Sequence, residues 1–254
     1  MVISSLTNAK IVEVAKLSEK KYRRLTNRYV IEGARLVFDA VKHGANVVSV
    51  YVSESKAQDF DFAFLDGDIQ TVVSDKVFAK MCDTVNSQGV LAVVQKRESS
   101  LTPPKGNCLV LDGLQDPGNV GTLIRTAVAC GFTDIYAVNS VDLYSPKVIR
   151  SAMSAHFFIE LHELDSIEQA FSFLKNVETV SAHMTGENVF SAQFSKPVAL
   201  ILGNEGNGLS EYSRKNATKT VALPMENDFE SLNVAVAGSV IMYQIYSQNR
   251  NMRR

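Results

Sequence analysis

The chain has 254 residues, 46% of them hydrophobic and 21% charged. That is the composition of a globular protein with enough chain to bury a core, as one large domain or two ordinary ones. A net charge of −1 excludes a polycation that binds nucleic acid through overall charge, and no apolar run reaches the ~18 residues of a membrane span. Cys82, Cys108 and Cys130 are odd in number and nowhere in C-x-x-C spacing. Disulfide frameworks and zinc sites are therefore not expected, and a reducing cytoplasm fits best. The opening MVISSLTNAK lacks the basic-then-apolar order of a secretory signal. His43, His156, His162 and His183 show no metal-ligand spacing and read as surface or packing residues.

In chain order, the first 35 residues carry eight basic side chains against three acidic ones, with KKYRR at 20–24. Such a cluster suits phosphate contacts or a solvated helix face. Residues 54–83 are acidic, seven against three. Leu36, Val37, Ala40 and Val41 recur at helical spacing, so a helix is predicted over 32–43, stopped by Gly44. NVVSVYV and DIQTVVS read as strands, DKVFAKMC as a helix capped by Ser74, and GVLAVVQ as a third strand. Residues 1–96 thus form a small α/β domain. Residues 97–107, within KRESSLTPPKGN, have linker composition.

From 108 to 254 the alternation resumes with more apolar strands. CLVLDG is a short buried strand before a Gly-marked turn. Residues 120–130 are helical and end at Gly131, and DIYAVN is the next strand. Ser145 and Pro146 mark a helix start, and Ser166 with Gln169 forms a capping box. TVSAHM, PVALILG and KTVALP are three further strands, and residues 231–246 form a closing helix. Strands separated by helices give a mostly parallel sheet, whose ligands bind beyond the carboxyl ends of the strands.

That rule selects three loops. In DGLQDPGNVGTLIRTA, Asn119 lies near a helix start and Arg125 six residues on; Arg offers a planar fork of donors to phosphate. LILGNEGNGLS has the glycine spacing of a phosphate loop, but Leu209 stands where the lysine should be, and Glu205 would repel a polyphosphate. In LPMENDFESLNVAVA, Ser231 is a natural helix cap, and Asn233 could cap as well or face a ligand. No G-x-G-x-x-G turn follows the first strand, so the dinucleotide-binding fingerprint is absent.

The three loops together resemble, in order, the three motifs of the SpoU (TrmH-type) family of RNA ribose 2′-O-methyltransferases, within the SPOUT superfamily. RYVIEGARLVFDAVKHGANVVSVYVSE also resembles the family's substrate-binding domain. The resemblance implies an α/β chain with a small N-terminal RNA-binding domain and a C-terminal knotted SPOUT domain. It implies Asn119, Arg125, Glu205, Ser231 and Asn233 as active-site residues. It implies S-adenosylmethionine as cofactor, held around Gly203, Leu223, Met225 and Leu232; no metal is expected, from the cysteine and histidine spacing above. RNA, ribosomal before transfer RNA, is the implied substrate, and a homodimer the implied assembly. A non-catalytic RNA-binding or ribosome-assembly protein is the alternative. The family's third motif usually has Gly where this chain has Asn227, a side chain that tolerates left-handed backbone.

Overall fold

The computed structural model describes residues 2–60, 69–84, 86–98, 101–195, 197–227 and 231–251. It divides into two compact units, Met1–Glu98 with Tyr144–Phe157, and Ser99–Leu143 with Phe158–Arg254.

In the first unit, strands β1 (Val2–Ile3), β2 (Arg28–Glu32), β3 (Val47–Ser53), β4 (Gln70–Val73) and β5 (Val90–Gln95) form one sheet in the order β1-β4-β3-β5-β2. β5 runs antiparallel to both its neighbours, and the other pairs are parallel. Side chains of a strand alternate between faces. Val90, Ala92 and Val94 of β5 accordingly join a core with Leu36, Val37 and Ala40 of α3 (Ala34–Lys42). Leu91 and Val93 join the opposite core, with Ile11 and Val14 of α1 (Ala9–Lys16) and Val77 and Phe78 of α4 (Asp75–Met81). The sheet is covered on both faces. Gly44, with φ 71°, ends the α3 region as expected. The helix itself starts later than the periodicity implies, because Glu32 belongs to β2 and Gly33 turns the chain at φ 105°. Ser74 occupies the cap position of α4, but its side chain makes no capping hydrogen bond.

Two corrections concern this unit. Residues 144–157 follow the linker in sequence, yet they cluster here: Ile149 of α6 (Pro146–Ala152) and Phe157 are buried in the α3 core. The KKYRR cluster, on α2 (Lys20–Thr26), is not a uniform cationic face either. Arg23 is 3% exposed, and its Nη1 donates to the carbonyls of Leu17 and Ser18 at 2.6 and 2.7 Å, tying α2 to the end of α1. Arg23→Ala would strand two carbonyl acceptors and is expected to cost about 2–3 kcal/mol in urea unfolding. A loss below about 0.5 kcal/mol, the scale of an ordinary surface change, would contradict this role.

The second unit holds a six-stranded sheet in the order β11-β9-β10-β6-β7-β8, parallel throughout. Its strands are β6 (Cys108–Asp112), β7 (Asp134–Val138), β8 (Glu160–Leu164), β9 (Glu178–Asn188), β10 (Val198–Gly203) and β11 (Lys219–Ala222). The expected mostly parallel sheet is found. β6, β7 and β10 are buried on both faces, which is why they read as unbroken apolar runs. One face packs on α7 (Ile167–Phe173) and α8 (Glu211–Asn216). The other carries α5 (Pro117–Ala129) and α9 (Val234–Asn251). Gly238 makes this layer close. A Cβ there would lie 2.5 Å from Leu202 Cδ1 and 2.6 Å from Leu123 Cδ2, so α9 presses directly on β10 and α5.

Ser145 caps α6 through Val148 N–H, as its sequence implies. At α7, Ser166 accepts from Gln169 N–H, but the return bond from Gln169 goes to Asp165 N–H, one residue outside the usual box.

Candidate functional site

In this sheet β6, β7 and β8 step outward in one direction, while β10 and β9 lie on the other side of β6. Strand order therefore reverses between β6 and β10, and a crevice beyond their carboxyl ends is the expected ligand position. The first two loops leave the sheet from these two strands, and the third leaves from β11.

β10 ends at Gly203, where the chain returns immediately on itself. Asn204 and Gly208 form an antiparallel bridge, with Asn204 N–H to Gly208 O and Gly208 N–H to Asn204 O both at 2.9 Å. A Cβ on Gly203 would sit 2.3 Å from Leu209 N and 2.4 Å from Gly208 C. Only glycine fits this approach, since the obstructing atoms are backbone. Asn204 fills the turn: its Oδ1 accepts from Gly206 and Asn207 N–H, and its Nδ2 donates to Gly113 O in the first loop at 2.7 Å. Leu209, in place of a phosphate-loop lysine, is buried with Val110, Tyr136 and Ile201. The triphosphate reading fails on this burial. Behind the loop, buried Asp112 accepts from Ser210 N–H at 2.9 Å and Ser213 Oγ at 2.6 Å, which fixes the start of α8.

Glu205 is the centre of the site. Its carboxylate accepts from Gln115 N–H at 3.3 Å, Asp116 N–H at 3.2 Å and Asn119 Nδ2 at 3.2 Å. Asn119 in turn accepts through Oδ1 from Asn233 Nδ2 at 2.9 Å. One chain of bonds thus joins the second loop, the first and the third. Burial pushes the Glu205 carboxyl upward, but its own backbone N–H, Asn119, Gln115 and Asp116 outweigh it and hold the group below the ordinary glutamate range. The carboxylate also faces the first turn of α5, where the helix dipole favours negative charge.

A depressed pKa fixes the sign of the pH dependence. The stabilisation is complete above the ordinary value of 4.5 and is lost as pH falls through the lower folded value. Wild type should therefore unfold at a higher temperature than Glu205→Gln at pH 7, with the gap closing as pH drops below 4.5. A gap that does not change with pH would contradict this.

Beside Glu205 lies a cleft of about 450 Å³ within the range of small-molecule sites. Its wall includes Gly203, Leu223, Met225 and Leu232, together with Glu205, Ser231 and Asn233. Seven of the nine residues singled out in the sequence thus meet at one cavity. Apolar side chains of Leu202, Ala237 and Ile241 form the side under α9. The other two residues stand outside. Asn119 is the bridge between Glu205 and Asn233, and Arg125 lies on α5, exposed, with no hydrogen bond or ion pair among the described residues. No hydrogen bond joins Asn119 to Arg125.

Asp116 caps α5: its Oδ1 accepts from Asn119 N–H at 2.8 Å, with Pro117 at the first helical position. Asn233, not Ser231, caps α9, accepting from Ala235 and Val236 N–H at 2.9 and 3.2 Å. Asn227 has φ 59°, the left-handed backbone that asparagine tolerates better than most side chains.

Several site residues carry no signal strong enough to single out in the sequence. Asn204 and Gln115 are ordinary loop polar residues until their partners are seen; Gln115 Nε2 ties Gly113 O to Asn139 O at 3.1 and 2.6 Å. His183 and Met184 line the cleft because β9 runs on through TGEN, a turn-like sequence. Gly186 permits this, lying so close to Val221 that a Cβ would be 2.4 Å from its carbonyl carbon. Asp116 before Pro117 did carry a helix-start signal.

Residues 106–243 match the SpoU rRNA Methylase family, and residues 8–92 match the MRM3-like substrate binding domain. Over 247 residues, 96% of this chain and 98% of the relative, the sequence is 32% identical to 23S rRNA (guanosine(2553)-2'-O)-methyltransferase RlmP of Bacillus subtilis. It is 27% identical, over 92% of this chain and 88% of the relative, to the 23S rRNA (uridine(2479)-2'-O)-methyltransferase of Streptomyces viridochromogenes. The fold is similar to that of the AdoMet-bound rRNA methyltransferase from Sinorhizobium meliloti, with TM-score 0.86 and 27% identity over 99% of this chain and 98% of that one. The chain belongs to the SpoU rRNA methylase family.

Proposed function

We propose that the protein transfers a methyl group from S-adenosylmethionine to a ribose 2′-hydroxyl of structured ribosomal RNA. The observation that carries this is the convergence of three sequence-distant loops on one cleft, with Glu205 hydrogen-bonded to the first and linked through Asn119 to the third. Relatives matched over nearly the whole chain are named as acting on 23S rRNA. A solved structure concerned with 2-OH methylation of C/U34 on tRNA matches only 59% of this chain. Ribosomal RNA is therefore favoured over transfer RNA, and the retained polar set favours an enzyme over a non-catalytic binder.

The cleft fits the cofactor. It has apolar walls for a flat base, backbone groups brought close by Gly203, and a carboxylate held ionised at one end for a positive centre. Gly203, Leu223, Met225 and Leu232 would hold it. When bound it supplies an electrophilic methyl group on a sulfonium.

The chain's own residues position the hydroxyl and help it lose a proton. Arg125 is not a base, because a guanidinium stays protonated in proteins. Exposed and uncommitted, it grips the phosphate next to the target ribose through two donors and so fixes the hydroxyl; the proton leaves to that phosphate or to water. Asn119 positions rather than contacts, since both ends of its amide are engaged. Ser231, at the cleft wall with no hydrogen bond among the described residues, faces the ribose. Glu205 and Asn233 brace the loops.

The same reading assigns residues 1–96 to RNA binding, with residues 144–157 clustered in that unit, 97–107 to a linker, and the rest of 108–254 to catalysis. It includes the knotted path of the family and a homodimer. Leu232, Val236 and Tyr243, all 42–52% exposed around α9, support an apolar contact between copies. No described helix is long and apolar enough to cross a membrane. A cytoplasmic site of action belongs to the same reading, and ribosomal RNA as the substrate supports it. Calorimetric titration of the protein with S-adenosylmethionine tests the cofactor site: saturable one-per-chain binding is expected, and no heat at high protein concentration would sink it.

A further inference from the structure

We propose that a second cleft, in the first unit between α1, α2 and the β3–β5 face, receives one unpaired nucleotide of the RNA substrate. Its base would enter the cleft, and its flanking phosphates would lie on Lys10, Lys16 and Arg28. The inference rests on the methyltransferase reading for the identity of the substrate, but not on the cofactor cleft, which belongs to the other unit.

The cavity measures about 530 Å³. Val14, Leu17, Val48 and Val93 make its floor apolar. Ser49, Tyr51 and Thr71 place hydroxyl groups among them. Lys10, Lys16 and Arg28 are exposed at the same cavity and form no ion pair among the described residues. Glu13 is the single acidic residue of the lining. Arg28 is pre-positioned: its Nε donates to Gln95 Oε1 at 3.1 Å, which leaves the terminal nitrogens for a ligand. Lys16 and Lys21 stand 5.2 and 5.9 Å from the ring centre of Tyr22, so the rim combines cations with an aromatic face. Leu25, 76% exposed, adds an apolar side chain that is otherwise left in water.

Each feature alone is ordinary. Their conjunction selects the ligand class. Three cations against one acid at the rim call for an anion, while an apolar floor with a few hydroxyls calls for a flat, partly polar body. A free phosphate would leave the floor empty, and an apolar ligand would bring no anion to the three cations. A nucleotide satisfies both halves. It must be unpaired, because bases inside a duplex are stacked and cannot reach a floor; RNA is read in sequence chiefly at loops and bulges for this reason. The buried position of Arg23 sharpens the assignment, since the RNA-facing cations are then Lys10, Lys16 and Arg28 rather than the whole KKYRR run.

The test uses the full-length protein with two fluorescent RNAs of equal length, a hairpin with an open loop and a blunt duplex. Wild type should bind the hairpin at least about tenfold more tightly. Lys16→Ala with Arg28→Ala, both exposed positions, should weaken hairpin binding about tenfold or more and lower the salt slope by about 1–2, as loss of two phosphate contacts requires. S-Adenosylmethionine binding by the double variant should match wild type. A double variant that binds the hairpin like wild type overturns the site. Equal wild-type affinity for hairpin and duplex overturns the unpaired-base assignment. Wild type that binds the hairpin as expected but takes no S-adenosylmethionine refutes the methyltransferase reading and leaves the RNA cleft standing.

Discussion

Replacing Arg125 by alanine should lower methyl transfer to RNA by about a hundredfold to a thousandfold, the range seen when one hydrogen-bond donor is removed from a reaction centre. The reason lies in its surroundings. Arg125 is exposed, forms no bond among the described residues and does not line the 450 Å³ cleft. Its removal takes away no packing and no brace of the loops. Stability and S-adenosylmethionine affinity should accordingly stay within about twofold of wild type, the effect of an ordinary surface change. Arg125→Lys separates two roles. If bidentate gripping is required, the lysine variant keeps only a small part of the activity at every pH. If the residue acted as a base, activity of the lysine variant would climb steeply as pH approaches the lysine range. Single-turnover rates at saturating cofactor measure both.

Gly203→Ala should act in the opposite way, on the cofactor before the chemistry. The added Cβ would lie 2.3 Å from Leu209 N, 2.4 Å from Gly208 C and 2.6 Å from Gly208 O. No rotamer change relieves a clash with backbone, so the Asn204–Gly208 turn must open. That shift displaces Glu205, which braces the first loop, and Leu209, which is anchored in the core. Overpacking of this kind costs about 1–3 kcal/mol. Felt at the cofactor, about 2 kcal/mol corresponds to a roughly thirtyfold loss of affinity. Calorimetry with S-adenosylmethionine and thermal unfolding should both move. A variant with wild-type affinity would show that the close approach at Gly203 does not shape the cleft.

What could be read from the sequence follows from how each element is buried. β6, β7 and β10 are buried on both faces and announce themselves as apolar runs. α6 announces its start through Ser145 and Pro146. β8, ELHEL, is an edge strand whose polar residues hide it; His162 there is buried in a bond with Asp134 at 3.1 Å and stacks on Tyr136, which no spacing rule reveals. α1 and α2 were legible only as charge: the buried pair Ile11 and Val14 of α1 is too short a stripe to stand out among the lysines, and α2 buries Arg23. The packing of residues 144–157 in the first unit is a tertiary event, set by Ile149 and Phe157 finding the α3 core.

The site divides in the same way. The three loops could be found because each is a Gly- or Pro-marked turn after a buried strand. Their linkage could not, because Glu205, Asn119 and Asn233 lie up to 114 residues apart and meet only through the parallel sheet. Asn204 and Gln115 owe their importance wholly to that meeting.

The most direct measurement is the product itself. Purified protein is given methyl-labelled S-adenosylmethionine and ribosomal RNA from cells lacking the enzyme, and the RNA is digested to nucleosides and separated by mass. The expected result is label in a single 2′-O-methylated nucleoside, incorporated about a hundredfold more slowly or worse with Arg125→Ala. Label confined to a base-methylated nucleoside, or no incorporation by protein that binds the cofactor, would contradict ribose 2′-O-methylation of ribosomal RNA.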